Sequence, residues 1–392
     1  MTTSTPIFTI SPRPGRQQHR RRWRVVLVGV VTFLVAAAVV AGHVTLGYYA
    51  ELPGQAQPVT ALVTVPRGRA HHLRGTILLT DIAVASVNAL EYVPDELSST
   101  TTLVPTSVLT GGLPAREFDL EGTVDMEEAQ MTAEAVALRQ LGYPVPERDG
   151  GVTLYAIIPG TPAYHSLHVG DVVTAVDGVP TLDPPALVAA IGRYRPGQSV
   201  TLSIGSVTDP AATHPVTVRL GSQRRHGALR PVLGIPYSLS AGSDGMGTQA
   251  VYSMPLHLAI NSDGIGGPSA GLALTLGLLD RLGGGDLTGG RVVAATGTID
   301  PNGAVGEIGG LPQKTVAVER AHASVFLVPA AQAAVARAHA TPGLQVIGVR
   351  SLSQALSALR RLGGHLGAAA AGPVPGPDGH SVPADWSSSP WS

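Results

Sequence analysis

The sequence predicts a multidomain chain of mixed α+β and α/β character behind a single N-terminal transmembrane helix. Three observations predict it. An uninterrupted apolar run, Val25 to Gly42, follows an arginine-rich leader. Residues 148–222 read as a β-rich module, with alternating apolar residues punctuated by Pro-Gly-Thr-Pro and Asp-Gly turn signals. Residues 228–365 alternate strand-like and helix-like segments, the pattern of an α/β domain.

Composition narrows the function. At 392 residues and 44% hydrophobic content the chain is long enough for two or three domains with their own cores. A net charge of −1 gives no electrostatic case for binding nucleic acid. The absence of cysteine excludes disulfides, thiolate zinc sites and a catalytic thiol, and leaves export open. No H-E-x-x-H pattern supports a metalloprotease.

Taken in order, residues 1–24 carry Arg13, Arg16, Arg20, Arg21, Arg22 and Arg24 and no acid. The apolar run extends through His43 to Tyr49, long enough for a span that needs about 20 residues. The positive-inside rule puts the arginine side in the cytoplasm and everything after Tyr49 outside the cell membrane, with Tyr48 and Tyr49 at the far interface. The alternative is a cleaved signal peptide, for which Val39-Val40-Ala41 or Gly54-Gln55-Ala56 supplies small residues; either way the body is exported.

Residues 50–147 are expected to be a linker and a small structural region without chemistry. Pro53, Pro58, Pro66 and the polar run Arg67 to Arg74 mark the linker, with His71-His72 solvated rather than metal-binding. A strand is expected at 76–82 and an irregular Ser/Thr-rich piece at 98–107. Asp125 with Glu128 reads as a capping box for a helix on which Met131, Ala135, Leu138 and Leu141 share a face. In the β-rich module, strands precede Pro159 and span Val172 to Val176, followed by a helix over 185–194 and a strand over 199–204. Arg224-Arg225-His226 and Arg230 form a basic joint.

The last domain opens with strands expected at 231–239 and 248–258. A helix after Ser269 ends at Gly283-Gly284-Gly285. There follow a strand at 291–297, a turn at Asp300-Pro301-Asn302-Gly303, a helix at 312–322 and a strand at 325–328. A helix at 330–339, a strand at 344–349 and a helix at 351–362 complete the alternation. Residues 366–392 are Gly, Pro, Ala and Ser-rich and are expected to be a disordered tail.

The candidate chemistry lies between Gly264 and Lys314. Pro268 suits the first position of a helix on which Leu272, Leu276 and Leu279 recur, so Ser269 sits at a helix N-terminus. Backbone N–H groups there favour the charge that an attacked carbonyl develops. Lys314 is the only lysine in the chain, all other basic side chains of that class being arginine. Arginine cannot surrender its proton near neutral pH, whereas a buried lysine can act as a general base and activate a serine.

Three ordered stretches carry a resemblance: Gly267-Pro268-Ser269-Ala270-Gly271, Ala295-Thr296-Gly297-Thr298-Ile299 and Gly309-Gly310-Leu311-Pro312-Gln313-Lys314. Over roughly residues 228–365 they resemble the proteolytic domain of Lon-type peptidases. The resemblance implies Ser269 as nucleophile, Lys314 as its base and Thr296 as the residue that steadies the lysine, with Gly267, Pro268 and Ala270 forming the oxyanion loop. It also implies an endopeptidase without cofactor or metal, acting on protein or peptide substrates, and a six-membered ring of copies. The ATP-binding part of full-length Lon enzymes has no counterpart here, because a phosphate loop needs Gly-Lys-Ser/Thr and the sole lysine follows Gln313.

A second resemblance runs from Gly151 to Ala163 and from Leu167 to Gly178, which look like the core of a PDZ domain. It implies a groove that adds a peptide to a sheet edge beside a helix, with the carboxylate-binding loop near Leu141-Gly142-Tyr143-Pro144-Val145. Pro144 and Pro146 remove backbone donors from that loop. Two rivals stand beside the protease reading. One is a membrane-tethered PDZ adaptor that no longer cuts. The other is a G-x-S-x-G hydrolase drawing its partners from Asp280, Asp300, His322 and His339.

Overall fold

The computed structural model describes residues 15–65, 71, 74–225, 227–236, 245–256 and 258–367. The expected tail beyond residue 367, His72 and part of the strand expected at 231–239 lie outside the described residues. Helix α1 (Gly15–His43) carries the apolar run, and its valines, leucines and Phe33 are largely exposed. Trp23–His43 is long and apolar enough to cross a membrane, although a signal sequence passes the same test.

The region expected to be a linker is instead structured and builds the main sheet. Strand β1 (Thr45–Pro58) starts two residues after α1 ends, and Tyr48 and Tyr49 lie in it rather than on the helix. A short helix α2 (Val59–Leu62), strand β2 (Val63–Thr64) and the long strand β3 (Thr76–Asn88) follow. Then come α3 (Tyr92–Leu97), β4 (Thr102–Pro105) and α4 (Thr106–Leu109), where an irregular piece was expected. Helix α5 (Ala115–Gln140) begins ten residues before Asp125, which is therefore no cap.

The next elements form a second sheet. They are β5 (Glu147–Leu154), β6 (Asp171–Val176), β7 (Val179–Pro180), α6 (Pro184–Ile191), β8 (Ser199–Ser206) and β9 (His214–Arg219). Asp183 caps α6 by accepting the N–H of Ala186 at 2.6 Å. The expected basic joint is a hairpin of β10 (Gly221–Arg225) and β11 (Ala228–Val232). Strand β12 (Met246–Tyr252), expected to open the last domain, pairs antiparallel with β5 and joins the second sheet, in the order β12-β5-β6-β8-β9.

Beyond β13 (Ala259–Ile260) the chain returns to the first sheet. Helix α7 (Gly271–Leu282), β14 (Val292–Ala295), β15 (Thr298–Ile299) and β16 (Val305–Gly306) lead to α8 (Leu311–Arg320) and β17 (Val325–Pro329). Last come α9 (Ala333–His339), β18 (Gln345–Val349) and α10 (Leu352–Arg361), the last capped by Ser351 on the N–H of Gln354. The sheet order is β18-β17-β14-β3-β1-β4, so three of its six strands come from residues 45–105. β3 runs parallel to β14, with Leu79 opposite Ala295.

The second sheet is thus inserted between two halves of the α/β domain, and α5 serves both. Its Ala133, Val136, Ala137 and Leu138 are buried in the main core with Leu272, Leu276 and Leu279 of α7. Its Val124 packs with Val169, Val172 and Val207 of the inserted module. Glu128 accepts from the Tyr155 hydroxyl at 2.7 Å and Glu117 from the Tyr164 hydroxyl at 2.7 Å. The Arg139–Glu147 ion pair at 2.9 Å is partly exposed and adds little beyond orientation.

Residues 228–365 expressed alone lack β1, β3 and β4 and leave one face of α8 uncovered. That fragment is expected to show no cooperative thermal transition by circular dichroism, whereas residues 45–367 are expected to melt cooperatively.

Candidate active site

The site forms where β14 and its parallel pairing with β3 end, at Ala295 opposite Leu79. The Gly264–Gly267 loop leads into a single 3-10 turn at Pro268–Ala270, and α7 continues from Gly271. Pro268 fixes the entry to that turn. Gly267 has φ 84°, and its N–H donates to the Gly122 carbonyl of α5 at 2.6 Å. That bond corrects one expectation: with the Gly267 N–H committed and Pro268 having none, neither supplies an oxyanion donor. Both residues shape the loop instead.

Thr296 follows β14 and is fully buried. Its Oγ1 donates to the Ser269 carbonyl at 3.3 Å, while the Ser269 carbonyl also accepts the Gly297 N–H at 3.0 Å. This ties the nucleophile turn to the end of β14. Lys314 lies in the first turn of α8, only 3% exposed. Its Nζ is 2.6 Å from Ser269 Oγ and 3.4 Å from Thr296 Oγ1. The structure therefore brings together all three of the residues singled out from sequence, from three different elements.

Burial around Lys314 comes from the N-terminal strands. A Cβ on Gly310, one turn before the lysine, would meet the Ile82 side chain of β3 at 2.7 Å. Gln313 donates through Nε2 to Thr102 Oγ1 of β4 at 2.7 Å. Desolvation pushes the lysine down from its ordinary value of 10.5 to about 8, against the opposing pull of Asp81 and then Glu51. Glu51 is itself raised by burial, with Lys314 acting the other way. Sequence reasoning missed both acids. Glu51 sits among prolines that read as linker, and Asp81 lies within a strand whose sequence gives no sign of chemistry.

The partners of a G-x-S-x-G hydrolase are not assembled. Asp280 accepts from the Leu287 N–H at 2.9 Å at the far end of α7, and burial raises it to about 6. Asp300 holds its own turn through the N–H groups of Asn302 and Ala304, and His339 Nδ1 lies 2.9 Å from the Val335 carbonyl. Among the described residues no group of three His, Cys, Asp or Glu side chains is placed to hold a metal ion.

The stretch expected to be a carboxylate-binding loop does not border a free sheet edge. Leu141, Tyr143 and Val145 are buried in the main core, and both edges of β5 are occupied, by β6 and by β12. A peptide cannot be added to β5 unless one of them leaves.

Comparison with known proteins decides the class. Residues 246–357 match the Lon protease (S16) C-terminal proteolytic domain, and residues 139–205 match the PDZ domain. The chain carries a Lon-type serine-peptidase domain and a PDZ domain. A PDZ domain-containing protein of Caenorhabditis elegans is 38% identical over 68 residues, which cover 17% of this chain and 50% of that protein. The chain thus spans about half the length of this curated relative. The crystal structure of the PDZ domain of an SdrC-like protein from Listeria monocytogenes is 21% identical, with a TM-score of 0.20, covering 22% of this chain and 86% of that one. The Lon match begins at β12, whereas the sheet of the peptidase domain begins at β1.

Replacing Thr296 with valine keeps the shape and removes the hydroxyl between Ser269 and Lys314. The expected loss is up to about 100-fold in kcat on a peptide substrate, with little change in KM, because the base loses its alignment.

Proposed function

We propose that this chain is an ATP-independent serine endopeptidase, anchored by α1 with its arginine-rich end in the cytoplasm and its catalytic domain outside. The observation that carries the reading is the 2.6 Å separation between Ser269 Oγ and the Nζ of the only lysine, in a buried setting that lowers its proton affinity.

In the proposed reaction neutral Lys314 takes the proton of the Ser269 hydroxyl as Oγ attacks the scissile carbonyl. The carbonyl carbon becomes tetrahedral, and the backbone N–H groups of Ser269 and Ala270, in the turn before α7, stabilise its oxyanion. The C–N bond then breaks, and the Lys314 ammonium returns its proton to the leaving amine. Water, deprotonated by the same amine, attacks the acyl-enzyme and releases the acid and Ser269. Thr296 holds the amine in line throughout, and no metal or nucleotide takes part.

Without an ATP-driven unfolding step, the substrates are flexible segments of exported or membrane proteins. The PDZ domain regulates access to the site: it shares α5 with the catalytic core, and α5 supplies the carbonyl that holds Gly267.

The test is cleavage of casein or a fluorogenic peptide by the full-length protein in detergent, without ATP. Ser269→Ala and Lys314→Ala are each expected to lose at least about 10³-fold in kcat/KM, and Lys314→Arg to lose as much because arginine stays protonated. Full activity in Lys314→Ala would overturn the assignment. Because only the neutral amine is the base, kcat/KM is expected to rise with pH through about 8 and then level off.

A further inference from the structure

The strands β1 and β3 contain an irregularity with a purpose. Pro53 pairs with Ile82 and Ala56 with Thr80, so two residues of β1, Gly54 and Gln55, face the single residue Asp81. Such a bulge turns the extra backbone groups out of the ladder and re-aims the side chain opposite. Here the freed Gln55 N–H donates to Asp81 Oδ1 at 2.6 Å. Gly54 makes room: a Cβ at that position would lie 1.9 Å from Asp81 Oδ1 and 2.8 Å from the Asp81 carbonyl oxygen. No side chain larger than hydrogen fits without displacing the carboxylate.

The register then fixes where this carboxylate lies. Leu79 is opposite Ala295 in the parallel pair β3–β14. Continuing that register by one step sets Thr80 level with Thr296, and by two steps sets Asp81 level with Gly297, at the mouth of the site. The neighbouring Ile82 packs over Gly310, one turn before Lys314. Glu51 comes from the same strand as the bulge, and its partner across the sheet, Thr102, accepts from Gln313 beside the lysine.

We propose that Asp81, aimed by the bulge in β1, and Glu51 are positioning residues that set the proton affinity of Lys314 from outside the Ser269–Lys314 pair. The proposal rests on the reading of Lys314 as the base. Its physical content is a balance of two opposed effects. Burial alone drives a lysine toward the neutral form, and a nearby carboxylate pulls it back toward the ammonium. An amine whose ammonium loses its proton too easily is also too weak a base to take the proton of the serine hydroxyl. Among the described residues, the groups that meet Lys314 from the other elements packed on it are uncharged: Ser269 before α7, Thr296 after β14 and Thr102 on β4 reached through Gln313.

Because Lys314 is the only lysine in the chain, it can be titrated directly. Full-length protein in detergent, made with lysine carrying ¹³C at the ε position, gives one lysine resonance whose shift against pH reports the amine without any need for activity. Asp81→Asn is expected to lower the titration midpoint, and Glu51→Gln to lower it less. Gly54→Ala, which changes no charge, is expected to move it the same way by pushing the carboxylate aside. On peptide substrate, Asp81→Asn is then expected to raise kcat/KM at pH 6.5 by about 3- to 10-fold and to lower the plateau at high pH. An unchanged or higher midpoint in variants that are folded by circular dichroism overturns the proposal. Should Asp81→Asn not fold, Glu51→Gln carries the test, since it leaves the Gln55 contact in place. Failure of the protease reading shows separately, as activity that survives in Ser269→Ala, and leaves the titration result standing.

Discussion

A lysine loses its proton at moderate pH only where its ammonium is poorly solvated, and the fold builds such a setting around Lys314. The amine sits on α8 with Ser269 on one side and the strands β1, β3 and β4 over it. Those strands belong to the first third of the sequence, whereas Ser269, Thr296 and Lys314 belong to the last. Neither half alone dries the site. The dry environment is a property of their pairing across β3 and β14.

The same pairing explains why the PDZ domain is not a detachable appendage. It is inserted between the strands that cover the lysine and the loop that carries the serine, and β12 enters its sheet before the chain turns back toward Ser269. Helix α5 forms the shared wall. One face is buried with α7, the other packs on the PDZ sheet, and Gly122 between them holds the Gly267 N–H. Through that bond α5 joins the PDZ side to the residue two before Ser269.

The site was legible in the sequence to the extent that it is written in short stretches. Pro268 at a helix start, the glycines before it and the solitary lysine are local features, and the structure brings Ser269, Thr296 and Lys314 within hydrogen-bonding reach of one another. The turn at Asp177-Gly178, the strands around it and the alternation from β14 to α10 were legible for the same reason. What could not be read was the cover. Pro53 and Pro58 in β1 resemble linker residues because proline weakens a strand's ladder, and only a partner as distant as β3 shows that the ladder bends around them. Asp125 and Glu128 have the spacing of a capping box, yet they are interior to a longer helix, where the PDZ face and Tyr155 give those acids other work. Local patterns report local structure, and β12 shows the cost: as a strand it is legible, but which sheet it joins is decided by an edge on β5.

The short step between α1 and β1 carries one more consequence. Only Val44 separates the end of the helix at His43 from the start of the strand at Thr45, and Glu51 beside the lysine is eight steps along the chain from His43. At about 3.4 Å per extended residue that is a reach of at most about 27 Å. With α1 in a bilayer, Ser269 and Lys314 are held on this short stem close above the lipid. On the proposed reading, that height would act as a ruler, selecting bonds by their distance from the membrane surface.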